Sequence, residues 1–297
     1  MNTKATTAEL VAAARAHHQY DRVRLVEDPY ALGLCGRPLR LLVTIRPLAW
    51  LASRTVLRDL QPTVLGVLIR ARYSEQALEA AVRDGITQYV IVGAGLDSFA
   101  LRRTDLMEHM DVFEIDLPGM QAVKRARVAR AGFEVPTRVH FVAADLTQVP
   151  LMEALAGASA FDPRRRAFLS LLGLTYYLTS EVIVATVRSI AQGVAPGSEL
   201  VLDHMLDDAS AWPAHRGKRE TLEAYVAKRG EPMVSDFSLA GMSALMADAG
   251  FDTVEGITMM DLSDRFAGEV GPLPFETPGI FACGHFRRTG TDSSGAE

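Results

Sequence analysis

The chain has 297 residues and a formal net charge of −5, with 48% of its residues apolar and 23% charged. That length accommodates one large α/β domain with an elaboration, or two modest domains, around a real core. The negative balance argues against a role built on phosphate neutralisation. Cys35 and Cys283 stand far apart in sequence, which argues for two free thiols in a reducing compartment and against a disulfide framework.

Met1 to Arg15 carries Glu9 and no continuous apolar segment, so no secretory signal is read and a cytoplasmic location is expected. Residues 1–75 show helical periodicity without a convincing strand and are expected to form an N-terminal helical cap. Within them the apolar stretch 41–69 is interrupted by Arg46, Pro47, Arg54, Arg58, Asp59 and Pro62. It falls short of the roughly 20 clean residues a membrane span needs and reads as buried helices.

From residue 76 to 297, helical patterns alternate with short apolar runs, as in a parallel sheet covered on both faces. Strands are expected at 88–92, 111–115, 139–143, 167–172, 199–203, 253–258 and 280–286. Helices are expected at 75–84, 117–131, 152–155 and 181–193, the last stopped by Ala195-Pro196-Gly197. Arg164-Arg165-Arg166 follows Asp162-Pro163 and reads as a solvated loop before the fourth strand rather than a nucleic-acid patch. After the fifth strand comes an insertion at about 205–238, placed like a lid, with a charged helical run at 218–229 and then a helix at 239–249. The last two strands suggest a closing hairpin, although residues 261–279 between them form a long connection rich in Gly and Pro. The tail 289–297 is expected to fray.

The most informative segment is Tyr89 to Ser98, an apolar strand running into Gly93-Ala94-Gly95. Glycines there let a ligand approach backbone that a side chain would shield. A dinucleotide fingerprint would place a third glycine where Ser98 stands. The second strand ends at Asp116 and the third at Asp145-Leu146. One carboxylate could accept both ribose hydroxyls and the other an adenine amine, so glycines and acids at three consecutive strand tips favour an adenosine site over helix caps.

These residues carry a resemblance. Glu27-Asp28-Pro29-Tyr30-Ala31, Arg70-Ala71-Arg72-Tyr73, and Val92 to Ser98 followed by Arg102 are similar to elements of the leucine carboxyl methyltransferase-like family, bacterial branch. So are Val112 to Pro118, Gly173 to Leu178, and Gly230-Glu231-Pro232, and together they cover almost the whole chain. The resemblance implies a class I, Rossmann-like sheet of seven strands, mostly parallel with an antiparallel end, that binds S-adenosylmethionine and methylates an oxygen of a small acidic acceptor, polyketide or other secondary metabolite. It implies that Arg70 grips the methionine carboxylate, Gly93 and Gly95 lie beneath that moiety, Asp116 holds the ribose, and Asp145 with Leu146 frames the adenine. Tyr177 would stand beside the methyl donor. Relatives outside the bacterial branch carry Glu where Leu172 stands here, which argues against a protein-phosphatase substrate.

Other candidates are weaker. His17 and His18 are adjacent and point to different helix faces, no Cys or His spacing suggests a metal, and no Ser-His-Asp arrangement is legible. His204, past the fifth strand, could face substrate or simply bond within its loop. The scarcity of bases favours a carboxylate acceptor, already ionised at neutral pH, over a phenol or alcohol. A nicotinamide-dependent reductase and a non-catalytic adenosine-binding protein are the competing readings. Oligomeric state stays open.

Overall fold

The fold is described from a computed structural model covering residues 7–45, 47, 61–228 and 230–290. Seven apolar runs form strands β1 (Gln88–Val92), β2 (Asp111–Asp116), β3 (Val139–Ala143), β4 (Phe168–Leu171), β5 (Glu199–Met205), β6 (Phe251–Thr258) and β7 (Phe281–Arg288). They make one sheet in the order β3-β2-β1-β4-β5-β7-β6. The first five strands run parallel, and β7 lies antiparallel between β5 and β6.

Side chains alternate across the sheet, so each apolar strand feeds two cores. Tyr89 and Ile91 join Val112, Phe168 and Val201 on one face, whereas Val90 and Val92 join Phe113, Leu169, Leu171 and Leu202 on the other. A third cluster packs Ala12, Ala16, Leu34 and Cys35 against Leu96, Leu101 and Val128, fastening the N-terminal helices beside the turn that follows β1.

The longer helices are α1 (Thr7–His18), α2 (Gln61–Arg83), α3 (Pro118–Ala131), α4 (Ser180–Gly193), α5 (Arg216–Ala227), α6 (Leu239–Asp248) and α7 (Met259–Val270). Helix α3 opens with Pro118 in its first turn and ends at Gly132, whose φ of 70° makes a left-handed cap. Ser238 caps α6 by accepting from the Gly241 amide.

Strand and helix positions follow the sequence reading within a few residues, with two differences. Helix α2 begins at Gln61, well before residue 75, and runs unbroken through the position where cap and sheet domain were divided. The connection after β6 holds α7, where a Gly- and Pro-rich linker was expected from residue 261. Thr258 accepts from the Asp261 amide at 3.1 Å, and Met259, Leu262 and Phe266 recur on one buried face. Only residues after Val270 carry the Gly and Pro pattern, so the two closing strands are not joined by a tight hairpin. In the apolar stretch 41–69, Leu65, Leu68 and Ile69 are buried as expected, but Leu41 is exposed, and Arg54, Arg58 and Asp59 lie outside the described residues. Among the described residues no helix is long and apolar enough to cross a membrane.

Candidate active site

The chain builds β1, β2 and β3 toward one edge, then returns to build β4 and β5 toward the other. The crevice at the carboxyl ends of β1 and β4 is therefore the topological switch point where open α/β sheets bind ligands. Each of those strands is followed by a glycine in the left-handed region, Gly93 (φ 71°) and Gly173 (φ 73°).

On the β1 side the amides of Gly93 and Ala94 donate to the Ile115 carbonyl at 2.9 and 3.0 Å. The Gly95 amide (φ 49°) donates to Asp116 Oδ2 at 2.6 Å, and the Leu117 amide to Asp116 Oδ1 at 2.7 Å. The second-strand acid thus draws the glycine turn to its own strand tip. A Cβ on Gly93 would stand 3.8 Å from Leu174 and touch nothing closer, so backbone geometry, not packing, demands glycine there and the turn keeps an open face. That open face with an adjacent carboxylate fits the nucleoside and amino-acid parts of S-adenosylmethionine. Asp145 is half-buried at the third tip, where its Oδ1 accepts from the Thr147 amide (3.0 Å) and hydroxyl (2.7 Å). Those bonds lower its pKa, and Leu146 packs beside it against the core. Ala144 N donates to the Asp116 carbonyl at 3.0 Å, so the second and third tips are tied together.

On the β4 side lies a cavity of about 830 Å³, counting the space at its open mouth. Its walls come from α1 (Leu10, Val11), α2 (Val64, Val67), α5 (Leu222, Val226), and Met233, Met259 and Phe281, all apolar. Polar groups gather at one end. Arg70 Nη1 meets Asp203 Oδ2 at 2.7 Å and the Tyr176 hydroxyl at 2.8 Å, and Asp203 Oδ1 accepts from the Gly173 amide at 2.6 Å. Burial works against the Arg70 charge, yet Asp203 and Tyr176 beside it together outweigh that and raise its pKa. A Cβ on Gly173 would stand 2.6 Å from Arg70 Nη2, so this glycine also clears the guanidinium's path. Tyr177 lines the same end, its phenol pushed up to about 12 chiefly by burial. The insertion closes over this turn: Thr7 of α1 bonds Glu231, and the Val234 amide donates to the Tyr176 carbonyl at 2.8 Å.

A buried network joins the cap to the glycine turn. Arg15 lies 3.1 Å from both Asp28 and Asp97, and the Ser98 hydroxyl donates to Asp28 Oδ2 at 2.5 Å. Ser98 therefore ties the turn to the cap at the point where a dinucleotide fingerprint would need glycine.

The structure thus brings Arg70 and Tyr177 together at the cavity, and Gly93, Gly95, Asp116, Asp145 and Leu146 around neighbouring strand tips. It does not bring His204 there. His204 follows Asp203 on β5, so it points to the opposite face of the sheet. It is 1% exposed, its Nδ1 lies 3.1 Å from the Met205 carbonyl, and burial lowers its pKa. Of the aromatic residues in the cap and insertion, Tyr225 lines the cavity. Tyr30 packs edge-on against Phe133, Tyr20 and Trp212 are exposed, and Trp50 lies outside the described residues. Asp203 and Tyr176 escaped the sequence reading, although Asp203 ends an expected strand just as Asp116 does. Among the described residues no cluster of His, Cys, Asp and Glu could hold a metal.

The leucine carboxyl methyltransferase family matches residues 8–191. A Bacillus subtilis (strain 168) protein carrying the name of an S-adenosyl-L-methionine-dependent methyltransferase is 32% identical over 70% of this chain and 67% of its own length. A protein of Mycobacterium tuberculosis (strain ATCC 25618 / H37Rv) with the same kind of name is 34% identical over 68% of this chain and 67% of its own. The crystal structure of a Thermobifida fusca YX protein that carries the name of a methyltransferase superposes with a TM-score of 0.63 over 97% of both chains at 16% identity, a likeness of fold. With the glycine turn, the strand-tip acids and this match in hand, the chain belongs to the leucine carboxyl methyltransferase family and is an S-adenosylmethionine-dependent methyltransferase.

Proposed function

We propose that the chain methylates a carboxylate of a small, largely apolar acid, a polyketide or other secondary metabolite, to give a methyl ester. The observation that carries this is the polar end of the cavity. An acceptor hydroxyl must lose a proton, and among the described residues the lining offers it no ready base. Tyr177 holds its proton to about pH 12, and both Asp203 oxygens are engaged by Arg70 and Gly173. A carboxylate, ionised above about pH 4, needs no base.

When bound, S-adenosylmethionine supplies an activated methyl group. In this reading Arg70 grips its methionine carboxylate, Gly93 and Gly95 lie beneath that moiety, Asp116 takes the ribose hydroxyls, and Asp145 with Leu146 borders the adenine. Tyr177, as a protonated phenol, donates a hydrogen bond that orients the acceptor. The cap (residues 1–75) and the insertion (about 205–238) wall off the acceptor and exclude water, so that positioning contributes most of the rate. Two buried free thiols, Cys35 and Cys283, suit a cytoplasmic setting.

The test is a mass-spectrometric screen of carboxylic and phenolic acceptors for a gain of one methylene. The expected product is cleaved by mild alkali, and its rate of formation is nearly flat from about pH 6.5 to 8.5. A product that survives alkali, formed faster as pH rises, would make the acceptor a hydroxyl.

A further inference from the structure

Asp203 is the one acid among the described residues that lines the cavity, and its side chain is 1% exposed. A buried carboxylate is costly unless each oxygen is satisfied. Here Oδ2 takes Arg70 Nη1 and Oδ1 takes the Gly173 amide, so little of the group is left for a ligand. The β4–β5 register pairs Leu171 with Leu202, which sets Leu172 level with Asp203, and Leu172 carries no charge. Among the described residues the arginine's ion pair is therefore made to β5 and not to β4. The Tyr176 hydroxyl takes the same Nη1 at 2.8 Å, and Nη2 stands so close to Gly173 that a Cβ there would lie 2.6 Å from it.

We infer that Asp203 is a positioning residue, locking the Arg70 guanidinium at the switch point so that Arg70 presents a fixed face to the methionine carboxylate of the cofactor. The inference rests on the proposed role of Arg70. An amide at 203 has one acceptor oxygen where the carboxylate has two, so its NH2 must face either Arg70 or the Gly173 amide. Two donors then oppose each other, and the guanidinium or the turn shifts.

Calorimetry on the full chain can separate this effect from a general loss of structure, using S-adenosylhomocysteine and 5′-methylthioadenosine. The first carries the amino-acid carboxylate and the second lacks it. Asp203→Asn is expected to weaken S-adenosylhomocysteine binding at least about tenfold while methylthioadenosine binding changes less than about threefold. Tyr176→Phe, which leaves both charges in place, should give a smaller loss confined to the same ligand and serves if the first variant folds poorly. Equal losses on both ligands, or unchanged or tighter S-adenosylhomocysteine binding, would overturn the inference. Wild-type protein that binds the two ligands equally would sink the Arg70 assignment itself.

Discussion

The two sides of the switch point are built by different means. At the tips of β1, β2 and β3 the groups are half-exposed, and backbone amides tie each acid to an adjacent turn. At the tips of β4 and β5, Tyr176 and Asp203 are buried and Arg70 is largely so, and the three reach one another across sequence separations of 106 and 133 residues. The first arrangement suits a nucleoside, whose hydroxyls and amine can be matched by strand-end oxygens in partial contact with water. The second suits an apolar acceptor and a charge that must be aimed, because a desolvated pair is rigid where an exposed one is screened.

The sharpest way to break this contrast is to break the buried pair. Arg70→Met leaves Asp203 buried and uncompensated, with an expected loss of about 3–5 kcal/mol of stability by denaturant titration. Adding Asp203→Leu should recover much of that loss without restoring turnover. If Arg70→Met alone leaves stability unchanged, the pair is not desolvated and the contrast falls.

On the other side, if Asp116 takes both ribose hydroxyls as proposed, Asp116→Ala should cost about 2–4 kcal/mol of cofactor affinity through the loss of two charge-assisted hydrogen bonds. Asp145→Ala should cost less, since water can replace a half-exposed carboxylate. An Asp116→Ala affinity within threefold of wild type would place the ribose elsewhere.

Tyr225→Ala should raise the acceptor KM by roughly tenfold, on the order of 1–2 kcal/mol of apolar contact, while leaving S-adenosylhomocysteine affinity unchanged. A fall in affinity for both ligands would show that the two sides share their walls. Removing residues 208–229 should abolish turnover altogether and spare part of the cofactor binding.

The smallest expected effect concerns His204, which lies off the site. Burial lowers its pKa, so the folded chain resists taking a proton that the unfolded chain takes near pH 6.5. Its contribution to stability is present above that pH and is lost as pH falls below it, by at most about 1.4 kcal/mol per pH unit. His204→Phe should flatten the stability profile between about pH 6.5 and 5, apart from the similarly lowered His215, and leave the cofactor affinity unchanged. A loss of turnover with intact folding would return His204 to the chemistry.

What the sequence determined by itself was whatever depends on neighbours along the chain. Apolar runs of strand length, Gly93-Ala94-Gly95 and the acids that end β2 and β3 are contiguous signals, and each is satisfied by backbone a few residues away or by an adjacent strand. Helix α7 is less legible because the Gly and Pro residues after Val270 give the connection a loop-like composition, although the Thr258 cap and the spacing of Met259, Leu262 and Phe266 are helical. Tertiary structure alone decided that Asp203 faces Arg70 while His204, one residue on, faces away. Strand alternation makes that choice only once the register of β5 between β4 and β7 is set. It also decided that α1, α2 and α5 converge on one cavity. Burying apolar faces from such distant segments depends on how they pack together, and no local pattern encodes that.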